Sequence, residues 1–157
     1  MEYAYKFRIY PNAEQETLIN KTFGCCRYTY NHCLAERIDK YKKENQTVSR
    51  FQQDKQLTAW KREMIWLKEV DATALQSAIQ NLDTAYQNFF KSVKQNGKFG
   101  FPKYKSKHDN RQSYKSKCVG TNIKIIDNKH LQLPKLGIVR CKFSKQVQGR
   151  ILSATVS

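Results

Sequence analysis

Apolar and basic side chains alternate along Tyr3–Tyr10, so aromatic and aliphatic residues share one face while Lys6 and Arg8 share the other. A period of two is typical of a half-buried strand. A proline follows and ends the strand. Asn12 and Gln15 then have the spacing of a capping box, which predicts the start of a helix.

A helical period runs through the next thirty residues, about 13–43. Its stripe is spaced by four, three, four, three, four and four residues and is polar at only one position: Ile19, Phe23, Cys26, Tyr30, Cys33, Arg37 and Tyr41. The stripe keeps its phase across Gly24. It therefore predicts one helix, with room for a kink at this glycine, rather than a compact helix-turn-helix.

Two further helices are predicted before residue 97. Ser49 and Gln52 form a second capping box, and the helix that they open carries Leu57, Trp60, Met64 and Leu67 on one face. Asp71 caps a third helix with the most regular stripe of the chain: Leu75, Ile79, Leu82, Tyr86, Phe89 and Val93. Gly97 is a typical stop signal.

The sequence pattern of the remaining chain predicts short strands separated by turns. The candidates are Asn122–Ile126, Leu131–Leu133, Ile138–Phe143 and Ile151–Val156. Together with the first strand they predict an α+β fold, in which residues 1–11 and 108–157 form a small β-barrel and residues 12–107 form a three-helix insertion. A strand pattern that continues to the last residues suggests a cut within a longer protein, with a natural end at an edge strand as the alternative.

Charge divides the chain more sharply than hydropathy does. The formal net charge is +16, with 13 Lys and Arg against 11 acids in residues 1–83 and 16 against two acids, Asp109 and Asp127, in residues 84–157. Such an excess points to a polyanionic partner. A membrane surface fits less well, because the basic half lacks a long apolar helical face.

The basic half begins with GKFGFPKYKSK at 97–107, where lysines alternate with aromatic residues. Cations suit phosphates and flat rings suit bases or sugars, so this pattern favours nucleic-acid binding over a solvated basic loop with two buried rings. The candidate contacts are Lys98, Lys103, Tyr104, Lys105, Lys107, Arg111, Lys115 and Lys117. Arg27 and Asn31, one turn apart on a polar helix face, are further candidates, although a solvated pair is the simpler interpretation.

The five cysteines show no C-x-x-C pair, and neither a signal peptide nor a membrane-spanning run is recognisable. Free thiols in a reducing, cytoplasmic compartment are therefore expected. Core packing is favoured over a zinc site for Cys25, Cys26 and Cys33, which lie close to His32.

Six segments in order resemble the amino-terminal half of TnpB/OrfB-type insertion-sequence proteins, which are related to type V CRISPR nucleases. They are YPNAEQ at 10–15, FGCCRYTYN at 23–31, WLKEVDATALQSAIQNLDTAYQNFFK at 66–91, GFPKYKSK at 100–107, LPKLG at 133–137 and GRILSATVS at 149–157. The resemblance covers essentially the whole chain. It implies a bacterial or archaeal protein with a wedge domain, which is a small β-barrel, interrupted by a helical recognition domain.

The resemblance also implies a function, in which a structured guide RNA is bound and a short transposon-adjacent motif is read on duplex DNA. Positions that match the motif-reading sites hold Thr73 and Gln76 at the start of the third helix, and Thr121 and Asn122 in a loop. Such side chains can reach base edges, although ordinary first-turn and turn residues are the simpler interpretation. The lysines are expected to contact the backbone.

The chain departs from the family in lacking the RuvC-like nuclease half. That chemistry needs several carboxylates around divalent metal ions, and Asp109 and Asp127 do not match the family's catalytic motif. We therefore expect no catalysis and no cofactor here, with Mg²⁺ and Zn²⁺ implied only for the missing half. The alternatives are a stand-alone helix-turn-helix DNA-binding protein or repressor and, less well matched, a basic ribonucleoprotein component.

Overall fold

The computed structural model describes residues 1–157 and has the α+β fold predicted from the sequence. Its helices are α1 (Ala13–Glu44), α2 (Arg50–Glu63) and α3 (Ala72–Lys94), with a 3₁₀ turn (Ile65–Glu69) before α3. Its strands are β1 (Arg8–Tyr10), β2 (Tyr114–Lys117), β3 (Lys124–Ile125), β4 (His130–Leu133), β5 (Gly137–Lys142) and β6 (Ser153–Val156).

The helix starts follow the predicted capping boxes. The side chain of Asn12 accepts from the backbone nitrogen of Gln15 at 2.8 Å, while the Gln15 side chain accepts from the Asn12 nitrogen at 3.0 Å. Ser49 and Gln52 repeat this exchange at α2. α1 runs unbroken for 32 residues through Gly24, which confirms one helix and leaves no turn of a helix-turn-helix.

Arg37, the one polar member of the α1 stripe, ties three helices together. Its guanidinium donates to Gln53 on α2 at 3.0 Å and to Asp83 on α3 at 3.2 Å, and lies 5.0 Å from the centre of the Tyr86 ring. Gln53 is wholly buried and donates in turn to the carbonyl of Cys33 at 3.0 Å. The one polar position in the apolar stripe of α1 therefore belongs to a buried hydrogen-bond network that connects the three helices.

Several predicted boundaries were wrong. The second helix ends at Glu63, so Leu67 packs from the 3₁₀ turn instead, and Val93 is exposed although it continues the α3 stripe. The predicted strand Tyr3–Tyr10 forms a ladder only at its last three residues, because its partner β5 ends at Lys142. β2 was missed, since its sequence YKSK hides two buried positions between lysines.

The strands do not close into the predicted barrel. One antiparallel sheet has the order β1-β5-β4-β3, and a separate two-stranded ribbon pairs β2 with β6. The ribbon packs on α3, where the hydroxyl of Thr73 accepts from the backbone nitrogen of Lys117 at 3.0 Å. β1 does pair with the carboxyl-terminal part of the chain, as the interrupted arrangement requires.

Helices and strands share one hydrophobic core. Helical residues such as Leu75, Ile79 and Leu82 form a single cluster with Tyr114 and Val139 from the strands. Gln15 adds a polar link, because its side chain donates to the carbonyls of Leu136 and Ile138 in the β4–β5 hairpin. The division into residues 12–107 and the two flanking segments stays a prediction.

The cysteines are all free, and four of the five are buried. Burial raises the pKa of Cys26 and of Cys33 to about 12, so both thiols stay protonated at neutral pH. Their place in the α1 stripe agrees with the predicted packing role.

Candidate nucleic-acid interface

The segment of residues 97–117, here called the basic segment, leaves α3 and reaches β2 along the side of α1. It is anchored at its start by Ser92, whose carbonyl and hydroxyl accept from the backbone nitrogens of Gly97 and Phe99 at 2.7 and 2.9 Å. The ring of Phe101 meets Tyr86 and Phe89 edge-on at 5.4 Å between centroids. The segment is therefore fixed to the helices by its apolar residues.

Asn31 fixes the middle of the basic segment to α1. Its amide nitrogen donates to the carbonyl of Lys105 at 3.0 Å, and its amide oxygen accepts from the Lys105 backbone nitrogen at 2.8 Å. The ammonium group of Lys105 then lies 4.7 Å from the centre of the Tyr30 ring. Both ends of the Asn31 amide thus hold the segment to α1, and its predicted contact with nucleic acid stays a prediction.

The only acid of the basic segment does not neutralise its cations. Asp109 accepts from the backbone nitrogen of Arg111 at 2.9 Å and closes a local turn. All ion pairs that involve Lys or Arg are made by Lys21, Arg37, Lys40 and Arg50. The cations of the basic segment are therefore unpaired, and nearly all of them are exposed, as nucleic-acid binding requires.

Four predicted contacts meet at one cleft between α1, α3 and the basic segment. Arg27 comes from α1, and Lys105, Arg111 and Lys115 come from the segment. Phe23 and Tyr30 line the apolar side. Residues from α1 and from the basic segment thus bring four cations and two aromatic rings together in one cleft. Lys98, Lys103, Tyr104 and Lys107 are exposed on the segment but do not line this cleft.

The predicted motif-reading residues lie at one corner, where a hydrogen-bond chain joins the start of α3 to the turn after β2. The Thr73 hydroxyl donates to Asp71 and accepts from the nitrogen of Lys117. The Lys117 carbonyl accepts from the Asn122 amide at 3.2 Å, and Asn122 accepts from Val119 at 2.8 Å. Thr73 and Lys117, which are 44 residues apart along the chain, are therefore held together.

The four residues at this corner differ in whether their side chains make hydrogen bonds within the chain. The polar atoms of the Thr73 and Asn122 side chains are used within the chain. Gln76 and Thr121 are exposed, and neither side chain makes a hydrogen bond within the chain. Of these four side chains, only those of Gln76 and Thr121 therefore have no hydrogen-bond partner within the chain.

A second basic surface, missed from the sequence, covers the outer face of the four-stranded sheet. The register places Arg8 directly opposite Lys142, and Tyr10 opposite Arg140. Like charges directly opposite each other on neighbouring strands destabilise a sheet. The alternation of Lys6 and Arg8 was visible in the sequence, but the placement of Arg8 opposite Lys142 depends on register.

The acids of the second half are isolated in turns. Asp127 accepts from the Lys129 backbone nitrogen at 2.8 Å and lies 2.9 Å from Nδ1 of His130; these hydrogen bonds lower its pKa, with the Lys129 bond the largest cause. No group of three or more His, Cys, Asp or Glu side chains is arranged to hold a metal ion. No helix has both the length and the apolar character needed to cross a membrane.

Comparison with known proteins identifies relatives for most of the chain. Residues 1–46 match the helix-turn-helix domain family of IS605 OrfB proteins, whose description points to DNA binding. In this structure the matched residues include β1 and the whole of the continuous α1. A protein of Streptomyces pristinaespiralis named as an RNA-guided DNA endonuclease is 38% identical over 112 residues, 70% of this chain and 27% of that protein.

Two further relatives extend the comparison. InsQ of Escherichia coli K12, also named as an RNA-guided DNA endonuclease, is 30% identical over 98% of this chain and 37% of its own length. The virulence protein VsdF of Salmonella dublin is 34% identical over 67% of this chain and 93% of that protein. The chain thus spans about a third of the length of the two endonuclease-named relatives.

Proposed function

Because this chain belongs to the TnpB/OrfB family of insertion-sequence proteins and matches the amino-terminal part of the relatives named as RNA-guided DNA endonucleases, we propose that it is the targeting portion of such an enzyme. In this role it binds guide RNA and reads a short transposon-adjacent motif on duplex DNA. Cleavage belongs to a part of the protein outside these residues.

The observation that carries this proposal is that the helices hold the basic segment in place while none of its cations forms an ion pair within the chain. Ser92, Asn31 and the rings of α3 hold it against the helices, and no carboxylate pairs with its cations. A backbone of phosphates supplies the missing charges. Such contacts position a nucleic acid without specifying its sequence.

Sequence reading is assigned to Gln76 and Thr121, which are free at the corner between α3 and the turn after β2. A glutamine can bridge the N6 and N7 edge of adenine, and a threonine can reach a base or a thymine methyl group. Thr73 and Asn122 fix this corner through Lys117. We therefore expect their substitution to disturb the position of both readers.

Selection from a randomised duplex library, with the chain bound to RNA from the insertion-sequence end, tests this assignment. Gln76→Ala with Thr121→Ala should weaken binding to the selected motif about tenfold or more, since a good base contact discriminates by roughly 1–3 kcal/mol. Binding to a scrambled duplex should not change. Gln46→Ala with Thr58→Ala, both at exposed positions, is the matched control. Equal losses on both duplexes would contradict base reading.

A cleavage assay tests the assignment of the chain to targeting alone. The purified chain with guide RNA, target duplex and Mg²⁺ or Mn²⁺ should bind without cutting, because Asp109 and Asp127 are each committed to a local turn. Guided cleavage that disappears in Asp109→Ala or Asp127→Ala would identify a catalytic acid among them. Cleavage that survives both variants would place an active site in the helices.

A further inference from the structure

An open groove lies on α1 beside the 3₁₀ turn, next to the basic cleft but separate from the motif-reading corner. It has a volume of about 480 Å³ and is lined by Gly24, Arg27, Tyr28, Asn31, His32 and Trp66. We call it the aromatic groove. Its three rings have no part in the basic segment or in the reading of the DNA motif.

The rings of the aromatic groove hold one another in place while remaining open to solvent. Tyr28 stacks on His32, with 5.6 Å between centroids and 16° between planes, and lies 4.9 Å from Trp66 in an edge arrangement. Tyr28 and Trp66 keep 37% and 40% of their surface exposed. A flat ligand can therefore stack here with little loss of side-chain entropy.

Gly24 keeps this groove open. The helix runs unbroken through it, and a Cβ built there would meet only the guanidinium of Arg27, at 3.7 Å. Glycine inside a helix is less favourable than alanine by about 1 kcal/mol. Neither backbone geometry nor crowding requires a glycine at this position. The space left by its missing side chain lies next to the guanidinium of Arg27.

Arg27 connects the aromatic groove to the basic cleft, because its side chain lines both. No carboxylate forms an ion pair with it. A strand whose phosphates follow Lys105 and Arg111 along the cleft passes Arg27 and then reaches the rings. The groove thus continues the surface assigned to nucleic acid.

We propose that the aromatic groove holds one unpaired nucleobase of the strand bound along the basic segment, with the base against Tyr28 and Trp66 and its phosphate at Arg27. This inference rests on the proposed function. Every base has a π-face, so stacking on aromatic side chains tolerates any sequence. The unpaired cation beside the rings favours a nucleotide over an apolar protein segment.

Tryptophan fluorescence gives a direct readout, because both tryptophans of the chain, Trp60 and Trp66, border the same ring cluster. The full chain is titrated with a single-stranded RNA and with copies that carry one abasic site at each position in turn. One abasic position should weaken binding about tenfold and reduce the quenching, because the base that stacks on the rings is missing there. A DNA strand of the same sequence shows whether the base comes from RNA alone.

The Gly24→Leu variant fills the groove and should lose both the abasic effect and most of the quenching. Trp66→Leu is the second variant should Gly24→Leu fail to fold, and Ala59→Leu, at an exposed position of α2, is the control. Salt-sensitive RNA binding that ignores every abasic site and is unchanged in Gly24→Leu would overturn this inference and leave the proposed function intact. No RNA binding by the unchanged chain would overturn both.

Discussion

The two halves of this chain treat their charges in opposite ways. In residues 1–83, where Lys and Arg barely outnumber acids, four cations form ion pairs, and one of these pairs is partly buried between helices. In residues 84–157, none of the 16 Lys and Arg side chains forms an ion pair. The first half pairs part of its charge within the chain, and the second half leaves all its Lys and Arg side chains without a carboxylate partner.

This difference separates stability from binding within one shared core. Removing an ion-paired charge such as Arg37 from the first half should change the free energy of unfolding and have little effect on affinity. Removing a charge from the second half should do the reverse, because exposed unpaired lysines contribute little to folding. Each of the following substitutions tests one side of this contrast.

Arg37→Ala should have the largest effect on stability. It leaves the wholly buried Gln53 and the partly buried Asp83 without their partner, and losses of about 2–4 kcal/mol are typical when a buried polar network is broken. Urea unfolding followed by circular dichroism measures the loss. The control is Lys40→Ala, whose exposed i,i+4 pair with Glu44 should contribute less than about 1 kcal/mol. Equal losses would contradict a special role for the network.

Asn31→Ala tests the connection between the two halves. It removes two hydrogen bonds to Lys105, and we expect a loss of about 1–2 kcal/mol in the free energy of unfolding. Trypsin should then cut faster after Lys103, Lys105 and Lys107, because the segment is released from α1. Asn20→Ala, at an exposed position of the same helix, provides the comparison. An unchanged cutting rate would show that the anchor residues around Ser92 suffice.

Alkaline pH should destabilise the fold. Burial raises the pKa of Cys26 and of Cys33 to about 12, so above pH 9 the unfolded chain loses thiol protons that the folded chain retains. The unfolded state then binds fewer protons, and stability falls as pH rises from about 9 to 12. Burial also raises the pKa of Tyr30, so this residue contributes to the same loss of stability at alkaline pH. Cys26→Ala with Cys33→Ala should flatten the fall of the urea midpoint, and an equally steep fall would contradict this assignment.

The sequence predicted the helices well because caps and apolar periods are local. It also located the basic segment, since composition alone marks it. It could not show that Asn31 holds Lys105, because that contact joins residues 74 positions apart. Nor could it reveal β2 behind its lysines, the separation of the strands into a sheet and a ribbon, or the pairing of Arg8 with Lys142. These features depend on tertiary packing and register, which have no local signature.

The most direct test of the contrast between the halves is the salt dependence of RNA binding. Lys103→Ala, Lys105→Ala and Lys107→Ala are combined in one variant, and Lys42→Ala, Lys43→Ala and Lys55→Ala, which remove equal charge from exposed positions of the first half, form the control. Each phosphate neutralised contributes about −0.7 to −0.9 to the log–log slope. The first variant should lose roughly two units of slope and the control almost none. Equal slopes for the two variants would mean that net charge, rather than the basic segment, holds the nucleic acid.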